Sequence, residues 1–181
     1  MASAFAHAVV AGAGYAAVRQ DYMKGSVLAL GIFCAVMPDL DVIAFAFGIP
    51  YEHMLGHRGA THSILFGIFW GLLMAVIFHR SLKPDQRKMV ALFYICCTIS
   101  HGIIDAFTTG GRGIGFLIPF TDERFFAPWR YIRVSSIHWE RFFSSHGLRV
   151  LQNELWTVMI PAVSIALIVI VLRKLLRSTR S

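Results

Sequence analysis

His7, Asp39, Asp41, His62, His101 and Asp105 are side chains that bind metals or move protons, and they fall in or at the ends of strongly apolar segments. Ionisable groups are costly at such depth and persist there for function, so these residues direct the reading. In Thr-Ile-Ser-His-Gly-Ile-Ile-Asp-Ala-Phe, His101 and Asp105 stand four apart, on one helix face about one turn from each other. That spacing suits one metal ion or two neighbouring ones, and equally a His–Asp hydrogen bond joining helices. Asp39 and Asp41 follow Pro38 directly in Ala-Val-Met-Pro-Asp-Leu-Asp. Residues two apart on a regular helix point to different sides, so the break that Pro38 imposes is what could turn both carboxylates toward one centre. Two carboxylates in a dry interior repel; a divalent cation keeps both ionised, and the alternative is a proton-carrying pair of the kind a transporter uses.

A third stretch, Glu-His-Met-Leu-Gly-His-Arg-Gly-Ala-Thr-His-Ser, sets His53, His57 and His62 around Arg58. Gly56 and Gly59 predict a closely folded loop, and Thr61 the cap of a helix that His62 begins. Histidine is a frequent zinc ligand, and Arg58 offers a planar fork of donors suited to a phosphate or a carboxylate. His53 alone reads as a surface histidine.

The elements that must position these residues are membrane helices. The chain is 56% hydrophobic with mean hydropathy +0.62, and its apolar residues gather into runs near the length that crosses a bilayer core of roughly 30 Å. Spans are expected at 2–18, 26–47, 62–79, 89–107 and 155–172. Residues 2–18 are rich in small residues that suit close helix packing and lack the basic start and cleavage site of a secretory signal, which predicts a first helix. Only helices or closed barrels satisfy their backbone in hydrocarbon, and these segments do not alternate as barrel strands do. The expected fold is therefore an all-α integral membrane bundle of about five transmembrane helices. It forms a single domain over 1–181, with an interfacial loop at 108–154 and a C-terminal anchor helix at 155–172.

Charge orients the bundle. The loops 19–25 and 80–88 and the tail 173–181 carry ten Lys and Arg in 25 residues, whereas 48–61 and 108–154 carry seven in 61. By the positive-inside rule the first set is cytoplasmic, which puts the Asp and His residues in the outer half of a bacterial inner membrane with the C-terminus inside. The net charge of +7 is then mostly topology, and nucleic-acid binding is not needed to explain it. In residues 111–149, Phe116, Phe120, Phe125, Phe126, Trp129, Tyr131, Trp139, Phe142 and Phe143 are interleaved with Arg112, Arg124, Arg130, Arg133 and Arg141. This composition suits the headgroup layer, with rings anchored and guanidinium groups facing phosphates, either as a surface loop or as a lid that recruits an anionic lipid. His138, Glu140 and His146 could add ligands from it. Cys34, Cys96 and Cys97 all lie within spans, which argues for packing rather than a disulfide framework.

Taken in order, His7, the Pro-Asp-Leu-Asp at 38–41, the His-Arg-Gly-Ala-Thr-His-Ser at 57–63, and His101-x-x-x-Asp105 followed by Thr-Thr-Gly-Gly and Pro119-Phe120 resemble the YdjM-like family of LexA-regulated, membrane-bound metal-dependent hydrolases. The likeness runs from about residue 1 to about 145. That family is thought to be related to the zinc-dependent phospholipases C and the nucleases of that helical fold. The resemblance implies that His7, Asp39, Asp41, His57, His62, His101 and Asp105 are the matching ligand or catalytic positions.

Mixed His and Asp donors suit zinc or manganese better than calcium, and no Cys-pair motif is present to hold a structural zinc. A bound metal would activate water against a phosphoester, with Asp39 or Asp41 taking the proton and Arg58 available to the anion. The function expected is hydrolysis of a phospholipid or lipid-linked phosphate at the outer leaflet. The main rival is a proton- or metal-coupled transporter using the same cluster; a third reading is an inactive scaffold that binds a partner through its aromatic loop. Sequence gives no oligomeric state.

Overall fold

The computed structural model describes residues 1–136 and 142–179. His138 and Glu140, with Trp139 and Arg141, lie outside the described residues. Helix α1 spans Ala4–Val18, where the Ser3 hydroxyl caps the first turn by accepting from Ala6 N–H. Helix α2, Gly25–Val36, runs into a 3-10 helix over Met37–Phe47 that begins where Pro38 removes a backbone donor and ends at Gly48 with φ of 71°. Helix α3 is Ile64–Phe78 and α4 is Pro84–Ala106. Helix α5 runs unbroken over Ser145–Ser178, with one π turn at Leu155–Met159. The described residues include no strand, only isolated bridges pairing Thr108 with Ile132 and Ile114 with Phe125.

This is the expected all-α membrane bundle, with helix lengths that differ in detail. Gly25–Phe47, Pro84–Ala106 and Ser145–Ser178 are long and apolar enough to cross a membrane, while α1 and α3 are 15 residues each. At 1.5 Å per residue 15 residues rise about 22 Å, short of a hydrocarbon core of roughly 30 Å. The C-terminal helix begins at Ser145, earlier than the apolar run at 155. Ser144 caps it by accepting from His146 N–H, and its first turns, Ser-His-Gly-Leu-Arg-Val-Leu-Gln-Asn-Glu, are amphipathic rather than apolar. The cap of α3 is Ser63, which accepts from Phe66 N–H at 3.1 Å, rather than Thr61.

Small residues set the closest approach. Gly67 and Gly71 of α3 face Ile99 and Ile95 of α4, and a Cβ on Gly71 would lie 2.5 Å from the Ile95 backbone nitrogen. Hydrocarbon gives helices no solvent-driven reason to associate, so tight van der Waals contact of this kind holds the pair. Gly71→Leu is expected to destabilise the detergent-solubilised protein by about 1–3 kcal/mol, read as a lowered thermal midpoint, because it is the Ile95 backbone that would have to move.

The helices sort the interior into two ends. At one, Tyr15, Met23, Val27, Cys34, Met74, Val90, Phe93, Tyr94 and Cys97 pack as an apolar core, with Cys34 and Cys97 free and buried as packing residues. At the other end the start of α1, the 3-10 helix, the loop before α3 and the end of α4 converge, and residues 108–136 wrap around them. That wrap is anchored by Ile114, Ile118 and Ile132, all buried, and by Gly115 N–H donating to the Arg58 carbonyl at 2.9 Å. Its outer surface exposes Phe120, Trp129 and Tyr131.

Candidate metal centre

Four elements each deliver a side chain to the polar end. The 3-10 helix carries Asp39 and Asp41 inward, the loop ending in the short 3-10 turn Ala60–His62 supplies His57, Arg58 and His62, and α4 supplies His101 and Asp105. His7 arrives from the second turn of α1. All eight are buried.

Hydrogen bonds fix which nitrogen of each ring is available. His101 Nδ1 lies 2.7 Å from the Ala35 carbonyl, which can only accept, so Nδ1 carries the proton and Nε2 the lone pair. His62 Nδ1 lies 3.2 Å from Asp41 Oδ2, and the same reasoning leaves its Nε2 bare. The two bare nitrogens face each other at 3.1 Å. Asp39 Oδ1 stands 3.3 Å from His101 Nε2 and 3.8 Å from His62 Nε2. Neither oxygen of Asp39 has a hydrogen-bond partner among the described residues. One ligand atom from each of Asp39, His62, His101 and Asp105 falls within 4.8 Å of the others.

Two lone pairs and the Asp39 carboxylate turned inward at such distances repel, and buried charge left uncompensated is strongly destabilising. A cation is what the arrangement calls for. A proton on the two imidazoles would also face Asp39 Oδ1 and leave Oδ2 bare, whereas a divalent ion can be bound by both nitrogens and the carboxylate together. These four residues can hold a metal ion.

The other expected residues take places around that group. Asp41 is saturated: its carboxylate accepts from His57 Nδ1 at 2.6 Å, Arg58 N–H at 3.0 Å and the Thr61 hydroxyl at 2.7 Å, besides His62. Asp39 and Asp41 therefore meet the two opposite nitrogens of the His62 ring rather than one shared centre. His57 meets the group through Asp41 and by a ring-edge contact with His62, centres 5.8 Å apart. Arg58, fully buried with φ of 63°, places Nη2 3.1 Å from Asp105 Oδ2 and 2.9 Å from the Thr108 hydroxyl, while Nη1 donates to the Gly110 carbonyl at 2.9 Å. Of the two anions its fork could suit, it meets a carboxylate. His7 stacks on His101 with ring centres 3.8 Å apart, and its Nε2 lies 3.6 Å from Asp105 Oδ1. His53 is exposed and accepts from Leu55 N–H; His146, in the first turn of α5, is not part of the group.

The chain as a whole matches a known family. The YdjM inner membrane protein family aligns with residues 1–177. The chain belongs to that family. Among its relatives is the inner membrane protein YbcI of Escherichia coli (strain K12), 40% identical over 131 residues that cover 72% of this chain and 75% of that protein. No solved structure matches the chain.

Several contributors were not singled out from sequence. Glu154 is fully buried at the head of the last apolar run, so the criterion that found the other residues, an ionisable group against a hydrophobic segment, would have found it too. Thr61 and Thr108 carry no comparable signal, since a threonine in a membrane segment is ordinary. Arg124 does not face outward: its guanidinium donates to the carbonyls of His57, Tyr51 and His53 and lies over the Tyr51 ring, stapling the loop that holds His57. Burial pushes the Tyr51 phenol up from its ordinary value and the Arg124 guanidinium down. Arg112 pairs with Glu52. Arg130 and Arg133 of the wrapping segment are exposed, as Arg112 is, with Arg130 lying 4.6 Å from the Phe126 ring centre.

Proposed function

We propose that this inner membrane protein is a zinc-dependent hydrolase that cleaves a phosphoester of a lipid or lipid-linked molecule, from a site on the outer side of the membrane. The observation that carries the reading is the set of inward-facing ligand atoms: His62 Nε2 and His101 Nε2, 3.1 Å apart, and the two oxygens of Asp39, which have no hydrogen-bond partner among the described residues. Ligands held 2.0–2.1 Å from one tetrahedral zinc stand about 3.3 Å apart, and separations of 3.1, 3.3 and 3.8 Å among these atoms fit that ion. Two imidazoles and one carboxylate, with Asp105 beside them, are also a donor set that zinc or manganese accepts and calcium does not favour.

The chain's own residues divide the remaining work. Asp41 holds His62 by Nδ1 and Ala35 holds His101 by Nδ1, so both Nε2 lone pairs are aimed before any ion arrives. With four donors around it Asp41 has no capacity to take a proton; Asp39 does, since one of its oxygens stays open when the other is a ligand. Asp39 is also the member of the group nearest the surface, its side chain 8% exposed against 0% for His62, His101 and Asp105, with both of its oxygens buried. A bound divalent ion would supply a water of pKa ~7 and polarise the phosphoryl oxygen. The exposed aromatic residues and Arg130 and Arg133 of the wrapping segment suit contact with anionic headgroups, which favours a lipid substrate.

The test is release of headgroup or inorganic phosphate from vesicles of anionic phospholipid and of an isoprenoid phosphate, by protein loaded with zinc or manganese and by chelated protein. Metal-dependent release supports the proposal. No release from either lipid class by fully loaded protein counts against it and favours the proton-coupled transporter, in which a proton occupies the 3.1 Å gap between His62 and His101. Orientation has its own check. A single cysteine in the 48–56 loop of a variant lacking the native three is expected to react with an impermeant thiol reagent in intact cells, and one in 80–88 is expected to be protected; the reverse pattern puts the site on the cytoplasmic side.

A further inference from the structure

The C-terminal helix reaches the metal group through the first residues of the chain. Glu154 is the last residue before the π turn of α5 and is fully buried beside the N-terminus of α1. Its Oε1 accepts from Ser3 N–H at 2.5 Å and its Oε2 pairs with the Ser3 hydroxyl, the same hydroxyl that caps α1. One residue back, Ala2 N–H donates to Asp105 Oδ1 at 2.5 Å, and the Met1 carbonyl accepts from Ser135 N–H at 2.9 Å. Residues 1–3 thus form a strap, clamped at Ser3 by Glu154 and at Met1 by the wrapping segment, whose middle presses a donor against one oxygen of Asp105. With Oδ1 taken by the strap and Arg58 beside Oδ2, the carboxylate has no freedom to rotate.

We infer that Glu154 is a positioning residue of the metal centre, which through the Ser3–Ala2 strap fixes the rotation of the Asp105 carboxylate and so the fourth donor of the group. Glu154 touches neither ion nor substrate. A buried acid whose two oxygens both serve one serine is a costly way to fill space, since burying a carboxylate carries a large desolvation penalty. The π turn that follows belongs with this role, because single π turns inside α-helices frequently occur at functional sites.

The inference rests on the metal-site reading above, and its test is made in terms of zinc affinity by chelator competition on the full chain in detergent, with no substrate present. Glu154→Leu removes the acceptor and leaves Ser3 N–H and its hydroxyl buried without one; it is expected to lower the thermal midpoint of the metal-free protein modestly while weakening zinc about 10- to 100-fold, the range typical of lost outer-shell support. Glu154→Gln, whose amide can still accept from Ser3 N–H and donate to the hydroxyl, is expected to bind as the wild type does. In an Asp105→Asn background Glu154→Leu is expected to cost nothing further, since the group it orients is gone. Ser3→Ala, which leaves α5 untouched, is expected to weaken zinc in the same direction, so the inference stays testable if the leucine variant does not insert. Wild-type affinity in Glu154→Leu or in Ser3→Ala overturns it, as does an equal loss with and without Asp105. Zinc bound alike by wild type and Glu154→Leu overturns this inference alone; no zinc bound by the wild type overturns the metal-site reading with it.

Discussion

Alanine at His101 is expected to remove metal binding and, with it, hydrolysis, while the protein still inserts and runs as one species. The ring supplies one of the two bare Nε2 atoms, and its loss leaves His62 and Asp39 as an incomplete pair. Affinity should fall by more than the roughly 10- to 100-fold that follows loss of an outer-shell partner, because here a donor itself is lost. The fold should tolerate the change better than the site does. His101 makes one hydrogen bond to the backbone, to the Ala35 carbonyl, and removing the ring also relieves the lone-pair repulsion across the 3.1 Å gap. Metal content and phosphate release, measured beside a thermal midpoint, separate the two effects. Metal retained at wild-type stoichiometry would remove His101 from the ligand set.

Replacing Arg58 is expected to act in the opposite manner, on stability first. Its guanidinium is fully buried and joins three partners that lie far off in sequence: Asp105, Thr108 and the Gly110 carbonyl. Gly111, at φ of 87°, has no Cβ where one would overlap Arg58 Nη1, so the chain makes room for this side chain. Arg58→Ala leaves the Asp105 carboxylate buried without its partner, a loss that costs about 3–5 kcal/mol when one member of a buried pair is removed. Arg58→Lys should rescue little, since a single ammonium cannot span three acceptors as a planar fork does. The expected readout is a large drop in thermal midpoint and in yield of monodisperse protein, for both variants. An arginine free to bind a substrate phosphate predicts instead a stable protein with lowered activity, and that outcome would return Arg58 to the substrate.

Much of this was legible in the sequence because membranes make polar residues conspicuous. Asp39, His62, His101 and Asp105 all stood out as ionisable groups against apolar runs, and the structure brings those four together. The four-residue spacing of His101 and Asp105 did place both on one face of α4. Less legible was the division of labour between Asp39 and Asp41. It depends on a 3-10 helix that sets them on either side of the His62 ring, and on Thr61 and the Arg58 backbone converging on Asp41, none of which spacing reveals. Arg58 and Arg124 show the same limit. A guanidinium in a loop reads as a surface charge for phosphates until the carbonyls and carboxylates that surround it are in view. The start of α5 was hidden for another reason: its first ten residues are amphipathic and polar enough to read as loop.

The buried Asp39, His62, His101 and Asp105 are expected to hold a divalent metal. Elemental mass spectrometry of the purified protein, after incubation with zinc and removal of the excess, tests this most directly. At least one equivalent of tightly held zinc per chain is the predicted result. A chain that leaves the column with none, and with no manganese after the same treatment, would contradict the claim and assign the inward-facing donors to protons.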